Sequence, residues 1–316
     1  MTRFLQQLFG FQVTETKGER LFFYAFELFV AACTLKYAWT WAAHLQQLGD
    51  VVLPLGLANY VDVSVLFQSW VAYGVAALLT GTVALGALRW WRYGYLAALL
   101  LLHLLFAARY SQGEIPHSSN VLGMTLLGLS LAVPAFDTEK LRRRFAIGFA
   151  YFSVGIGYTS AAVCKLVASG PQWVDGRHLQ LWIHEKSIDV FAASGTFDFT
   201  LLQSLALDHY WIATLFLVIG LVSESLAISM CWPRFRVPAV LAVLGLHAGI
   251  YLTMRIIFAI TTLELILLAL PWACLVTRVL GASAATVERE CPLPHLRPAP
   301  SSSRDEVPVS APSAAS

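Results

Sequence analysis

The stretch DHYWIATLFLVIGLVSESLAISMCW, residues 208–232, carries one charge between its ends, Glu224. About 20 consecutive apolar residues cross a bilayer as a helix. The run therefore reads as a membrane span, and its lone carboxylate as a group that needs protein or water around it. Working outward, seven more apolar runs read the same way, near 21–42, 66–88, 94–109, 119–136, 145–166, 237–254 and 256–277, with those at 94–109, 119–136 and 237–254 short. The composition agrees: of 316 residues 58% are apolar and 13% charged, with mean hydropathy +0.66, where a soluble domain carries about 25% charge. The expected fold class is all-α, a polytopic transmembrane helix bundle of about eight spans.

Positive loops stay on the cytoplasmic side of a membrane. With eight crossings, one side takes Arg3, Lys17, Arg20, Arg89, Arg92, Lys140, Arg142, Arg143, Arg144, Arg234, Arg236, Arg278, Arg289, Arg297 and Arg304. The other takes Arg109, Lys165, Arg177, Lys186 and Arg255, and Lys36 inside the first span completes the 21. This alternation predicts both termini on the cytoplasmic side. It divides the chain into a cytoplasmic amphipathic segment over 1–19, a membrane domain over 20–278 and a tail over 279–316. The tail is rich in Pro, Ser and Ala and is expected to be disordered. No cleavable signal peptide is evident at the start.

The net charge of +2, with no basic run interleaved with aromatics, excludes nucleic acid as the expected partner. The expected partners are a lipid bilayer, a lipophilic small molecule and a membrane protein. Five scattered cysteines without a CxxC pair indicate neither a disulfide framework nor a metal site. His178 and His184 lie six apart, which is not a ligand spacing on one helix face. GxSxG, HExxH, Walker and GxGxxG patterns are missing.

Ionisable groups in spans are the informative residues, because each costs roughly 2.5–3.5 kcal/mol at the bilayer centre on insertion scales. Glu27, Lys36, Glu224 and Glu264 read as members of a structural interhelical network, and His103 as a packed neutral imidazole. His117 and Lys165 fall at the same outer face. His117 is either a loop histidine or one wall of a site. Lys165 either snorkels to the headgroups or sits desolvated as a general base. His247, ten residues into its span, reaches the same cluster if its helix turns that face inward. The two long outer connections, about 43–65 and 167–207, are candidate lids, the second expected to hold interfacial helices.

The block Tyr158-Thr-Ser-Ala161-Ala162-Val163-Cys164-Lys165-Leu166, followed by Trp173-Val174-Asp175-Gly176, resembles the signature Y-x-x-A-G-x-x-K-L…W-x-(D/E)-G of the vitamin K-dependent γ-carboxylase superfamily, whose shared part is the horizontally transferred transmembrane domain. Ala162 stands where that pattern has glycine, and the spacer is a few residues longer. His117-Ser118 is similar to the family's H-S element, with Pro116 in place of the asparagine of animal carboxylases, and Gly245-Leu246-His247 resembles a further element more loosely. The resemblance implies Lys165, His117 and His247 as catalytic residues. Lys165 would be the base that deprotonates a reduced isoprenoid quinone of the vitamin K type, and His117 would assist the oxygenated intermediate. It implies Tyr158, Trp173 and Gly176 as substrate-binding residues, no metal, and a multi-pass protein of a bacterial cytoplasmic membrane. No large domain after Val276 is expected, so the resemblance implies a quinol pocket rather than carboxylation of a protein. The alternative is a non-enzymatic membrane component, an immunity, transport or electron-transfer partner that keeps the fold.

Overall fold

The computed structural model describes residues 3–13, 15–47, 52–68, 70–113, 117–270 and 272–279, with residues 117, 118, 273, 274, 277 and 278 described by their backbone alone. Among the described residues all regular structure is helical. The helices are α1 (Arg3–Phe9), α2 (Lys17–Leu45), α3 (Val71–Ala87), α4 (Gly94–Tyr110), α5 (His117–Ala135), α6 (Glu139–Ser169), α7 (Gly176–Ser194), α8 (Leu201–Asp208), α9 (Tyr210–Ser225), α10 (Arg236–Met254), α11 (Ala259–Ala269) and α12 (Trp272–Val279). Every apolar run contains a helix. Four helices are long and apolar enough to cross a membrane: Lys17–Leu45, Glu139–Val174 (α6 with the turn after it), Tyr210–Cys231 and Pro233–Met254. Val71–Ala87, Gly94–Tyr110, Ser119–Ala135 and Ala259–Ala269 are shorter apolar helices beside them.

Large apolar side chains such as Leu28, Leu78, Leu100, Val167, Ile219 and Leu241 lie exposed on these helices. Water does not tolerate such a girdle, whereas lipid does. The chain is a membrane protein on this ground. Inside lipid there is little hydrophobic drive between helices, so close packing of small residues and internal hydrogen bonds hold a bundle together. Gly94 shows how tight the approach is: a Cβ there would stand 2.6 Å from both the Gly86 nitrogen and the Thr82 carbonyl. Gly155 likewise lies against the turn after α9, where a Cβ would be 3.0 Å from the Ala227 carbonyl.

The helices begin and end where local chemistry says they should. Thr16 and Glu19 form a reciprocal capping box that starts α2. Gly170, at φ +59°, ends α6. The expected span over 256–277 is instead two helices, because Leu270, which precedes a proline, is extended with ψ 141°. Of the expected connections, 167–207 holds the helical turn Gly170–Val174 with α7 and α8, as expected of it, and 43–65 holds two short 3-10 turns at Gly56–Asn59 and Ser64–Phe67.

Arginines gather at one end of the bundle, and several are tied to other helices. Arg143 donates to both Glu15 carboxylate oxygens at 2.7 Å, and Arg144 donates to both oxygens of Glu19 at 2.8 and 2.7 Å. Arg236 donates to the Leu8 carbonyl at 2.7 Å, and Phe9 stacks on Phe145. The described residues of the first segment, 3–13 and 15–19, are thereby clasped against the start of α6. Beyond Val279 the expected tail lies outside the described residues.

Candidate functional site

The other end of α6 carries the block that suggested a site. From Arg144 to Lys165 the helix rises about 31 Å, so Lys165 stands near the end remote from the arginines. A Cα–Cβ bond tilts toward its helix's N-terminus, which on α6 is toward the middle of the bundle. Lys165 follows that tilt. Its Nζ donates to both carboxylate oxygens of Glu224, at 2.5 and 2.6 Å, and stands 4.5 Å from the centre of the Trp173 ring. The amine is therefore turned inward. Thr159, two turns below on α6, donates to the Glu224 carbonyl at 3.2 Å and accepts from the Ile228 N–H at 3.0 Å, which pins α9 to α6 at this level.

Lys165, Trp173 and Glu224 line a cavity of about 510 Å³. Its walls are otherwise mostly apolar: Phe216 and Ile219 from α9, Leu246 and Ile250 from α10, Leu179 from α7. Gly220 on α9 and Gly245 and Gly249 on α10 also line it. Glu185 and Lys186 of α7 are also lining residues, and Lys186 pairs with Asp189 at 3.1 Å on the exposed face. An apolar cavity of this size with one polar end is the usual form of a small-molecule site.

α7 and α8 roof the cavity, and a small core of Leu179 and Ile183 from α7, Ala206 from α8, and Ala213 and Leu217 from α9 packs against Trp173 and Trp182. Side-chain amides fasten the roof: Gln180 donates to the Ala206 and Leu207 carbonyls at 3.0 and 3.1 Å, and Gln203 to the Thr253 carbonyl at 2.9 Å. The Trp173-Val174-Asp175-Gly176 segment is intelligible residue by residue. Trp173 offers its ring to the ammonium. Asp175 caps α7, accepting from the Arg177 N–H at 2.9 Å. That hydrogen bond holds the Asp175 carboxyl below its ordinary value. Gly176 lets α7 touch α9: a Cβ there would meet the Tyr210 carbonyl at 2.5 Å and the Thr214 nitrogen at 2.9 Å.

The residues named from the sequence do not all converge. Lys165 and Trp173 meet at the cavity, whereas Tyr158 and Gly176 are not among its lining residues. His247 is buried and hydrogen-bonded elsewhere, its Nε2 to the Tyr158 hydroxyl at 2.5 Å and its Nδ1 to Thr262 Oγ1 at 3.0 Å, with the Phe258 ring edge-on. Leu246, the residue before it, lines the cavity, so the Tyr158–His247 pair lies behind the wall rather than at it. His117 opens α5 at the same end of the bundle as Lys165, and its side chain lies outside the described residues.

Of the four carboxylate and lysine positions read as structural, the three carboxylates make interhelical contacts of that kind. Glu27 accepts from Arg89 at 2.6 and 2.8 Å and from Tyr95 at 2.7 Å. Glu264, fully buried, accepts from Thr125. Lys36 is exposed on α2. Glu224 is the residue that sequence reasoning undervalued, since it is the direct partner of Lys165. A signal was present: a lone span carboxylate and a lone inward-tilted lysine each require an opposite charge.

No protein-family model, curated protein or solved structure matches this chain.

Proposed function

We propose that this chain is an eight-span membrane protein, with both termini and the arginine-rich end in the cytoplasm of a bacterial-type cell, whose cavity binds a lipophilic quinol. The shorter helices support this if each crosses with its flanking turns; α11, Leu270 and α12 together make about one crossing. The observation that carries the reading is the Lys165 amine facing an apolar cavity from its polar end. A reduced isoprenoid quinone fits that chemistry: a flat apolar ring and tail for the walls, a phenolic hydroxyl for the lysine. The Lys165–Glu224 pair then acts as the base. As the phenolic hydroxyl gives its proton to Lys165, the lysine passes one of its own to the Glu224 carboxylate to which it already donates, so that an ammonium is left facing the phenolate. Trp173 backs that cation. The resemblance to the γ-carboxylase superfamily supports quinol as the substrate class.

The second reading, a non-enzymatic membrane component, draws on a different observation: Lys165 is fully engaged by Glu224 and Trp173, as a purely structural lysine would be. Purified full-length protein in lipid nanodiscs separates the two. With a reduced naphthoquinone as probe, wild type should bind it and consume oxygen, and Lys165→Met should lose quinol-dependent turnover by at least about a hundredfold while keeping most of its thermal stability. Unchanged turnover in Lys165→Met removes the base. Loss of stability with no turnover in either protein favours the structural component.

A further inference from the structure

A second recess lies at the arginine-rich end, between the α3–α4 turn and α5, and is separate from the cavity at Lys165. The turn is forced to be tight by the Gly86–Gly94 contact. It throws Trp90 outward at 77% exposure, with Trp91, Arg92 and Tyr93 also exposed. The recess has a volume of about 70 Å³, the scale of a phosphate group rather than of a whole lipid. Arg89, Arg92 and Arg142 line it with Glu27 and Glu139, and Leu129, Ala132 and Val133 of α5 form its apolar wall.

Its charges do not balance. Glu27 is taken by Arg89. Glu139 is shared by Arg142 at 2.8 Å, Arg143 at 3.6 Å and Arg89 at 3.8 Å, while Arg143's main partner is Glu15. Arg92 has no carboxylate partner among the described residues, and its guanidinium lies 5.0 Å over the Tyr93 ring. Three cations therefore face two carboxylates, with the surplus on Arg92 at the open side. Indole rings favour the level of lipid headgroups, and basic recesses between helices at that level bind anionic headgroups.

We propose that this recess is a binding site for an anionic phospholipid of the surrounding bilayer, its phosphate on Arg92 and Arg142 and one acyl chain along the Leu129–Val133 wall. A lipid is favoured over a free phosphate because the wall beside the arginines is apolar, and its half-buried Val133 stands next in α5 to the exposed Pro134 and near the exposed Leu131. The site depends on the chain lying in a membrane and not on any chemistry at Lys165.

Native mass spectrometry of full-length protein released from nanodiscs of mixed phosphatidylglycerol and phosphatidylcholine tests this. Wild type should retain phosphatidylglycerol preferentially, and Arg92→Gln should lower that preference about fivefold, the effect of one basic contact near a membrane surface. Arg177→Gln, exposed at the opposite end, should leave it unchanged. Brominated phosphatidylglycerol should quench wild-type fluorescence more than the Trp91→Phe variant's, which places the bound chain at the recess. Equal retention of both lipids by wild type, or the same loss from Arg92→Gln and Arg177→Gln, overturns the proposal. Displacement of the lipid by millimolar inorganic phosphate overturns it in favour of a soluble anion.

Discussion

Both ends of the bundle hold buried or half-buried ion pairs between helices, but they are built differently. At the arginine-rich end the pairs are over-determined: Glu27 accepts three hydrogen bonds, and Arg143, Arg144 and Arg236 close on carboxylates and carbonyls of the first nineteen residues. At the other end one interhelical pair, Lys165–Glu224, borders an apolar cavity of about 510 Å³. A carboxylate held by several donors has one arrangement. A pair with a single partner beside a large apolar cavity can exchange that partner for a ligand without unpacking its neighbours, and the difference marks the Lys165 end as the more adaptable of the two.

Removing one member of each pair should expose that contrast, and the largest effect belongs to Glu27→Ala. It leaves the Tyr95 hydroxyl without its acceptor and Arg89, in a left-handed backbone at φ +63°, with only the Gly86 and Ala87 carbonyls and the more distant Glu139. Breaking such a pair costs about 3 kcal/mol, read as a drop in unfolding temperature in nanodiscs. Glu224→Ala should cost about 1–2 kcal/mol, because the Lys165 side chain, 28% exposed, can turn into the cavity. Equal losses would mean that the cavity gives Lys165 no freedom.

A glycine at each end gives the next comparison. Gly94→Ala and Gly176→Ala both drive a methyl into backbone atoms closer than 3.0 Å, and each should destabilise by about 1–3 kcal/mol. Their functional consequences should differ. Gly176 sets the seat of the roof helix α7 on α9, so its alanine variant should weaken binding of the naphthoquinol probe, whereas Gly94→Ala should leave that binding intact at a temperature where both are folded.

Much of the scaffold was legible because length and apolarity decide it. A run such as 208–232 has no stable alternative to a helix, and the lopsided distribution of arginines put Arg89, Arg142 and Arg236 together at one end, as found. The break at Leu270 was missed by the expected span over 256–277, although the proline that follows it carries the signal. The pairings were not legible. Lys165 and Glu224 are 59 residues apart, and Arg89 and Glu27 are 62 apart. Helices apolar on every side give no periodic signal of which face meets which neighbour, so rotation about each axis, and with it the partner of every polar group, comes only from packing. His247 shows the cost: its helix turns the imidazole to Tyr158 and Thr262, one wall away from Lys165.

The smallest of these effects is a pH dependence, and it too should divide the ends. Burial alone would raise the Glu15 carboxyl, but the hydrogen bonds and charge of Arg143, with Arg20 and Arg144 behind it, outweigh burial and hold it below its ordinary value of 4.5. A carboxyl lowered in the folded state contributes stability above its unfolded value and loses it as pH falls through the folded one. The clasp of the first nineteen residues should therefore loosen on acidification below about pH 4.5. Asp175 at the roof is lowered in the same direction by the Arg177 N–H, but it is half-exposed and has no arginine paired to it among the described residues, so the bond contributes less. Glu15→Gln should begin with a lower unfolding temperature at pH 7 and show a flatter acid limb than wild type. Asp175→Asn should keep the wild-type limb. If Glu15→Gln runs parallel to wild type down the acid limb, the acid sensitivity lies in other carboxyls, and the arginine-rich end is not the part that acid unlocks first.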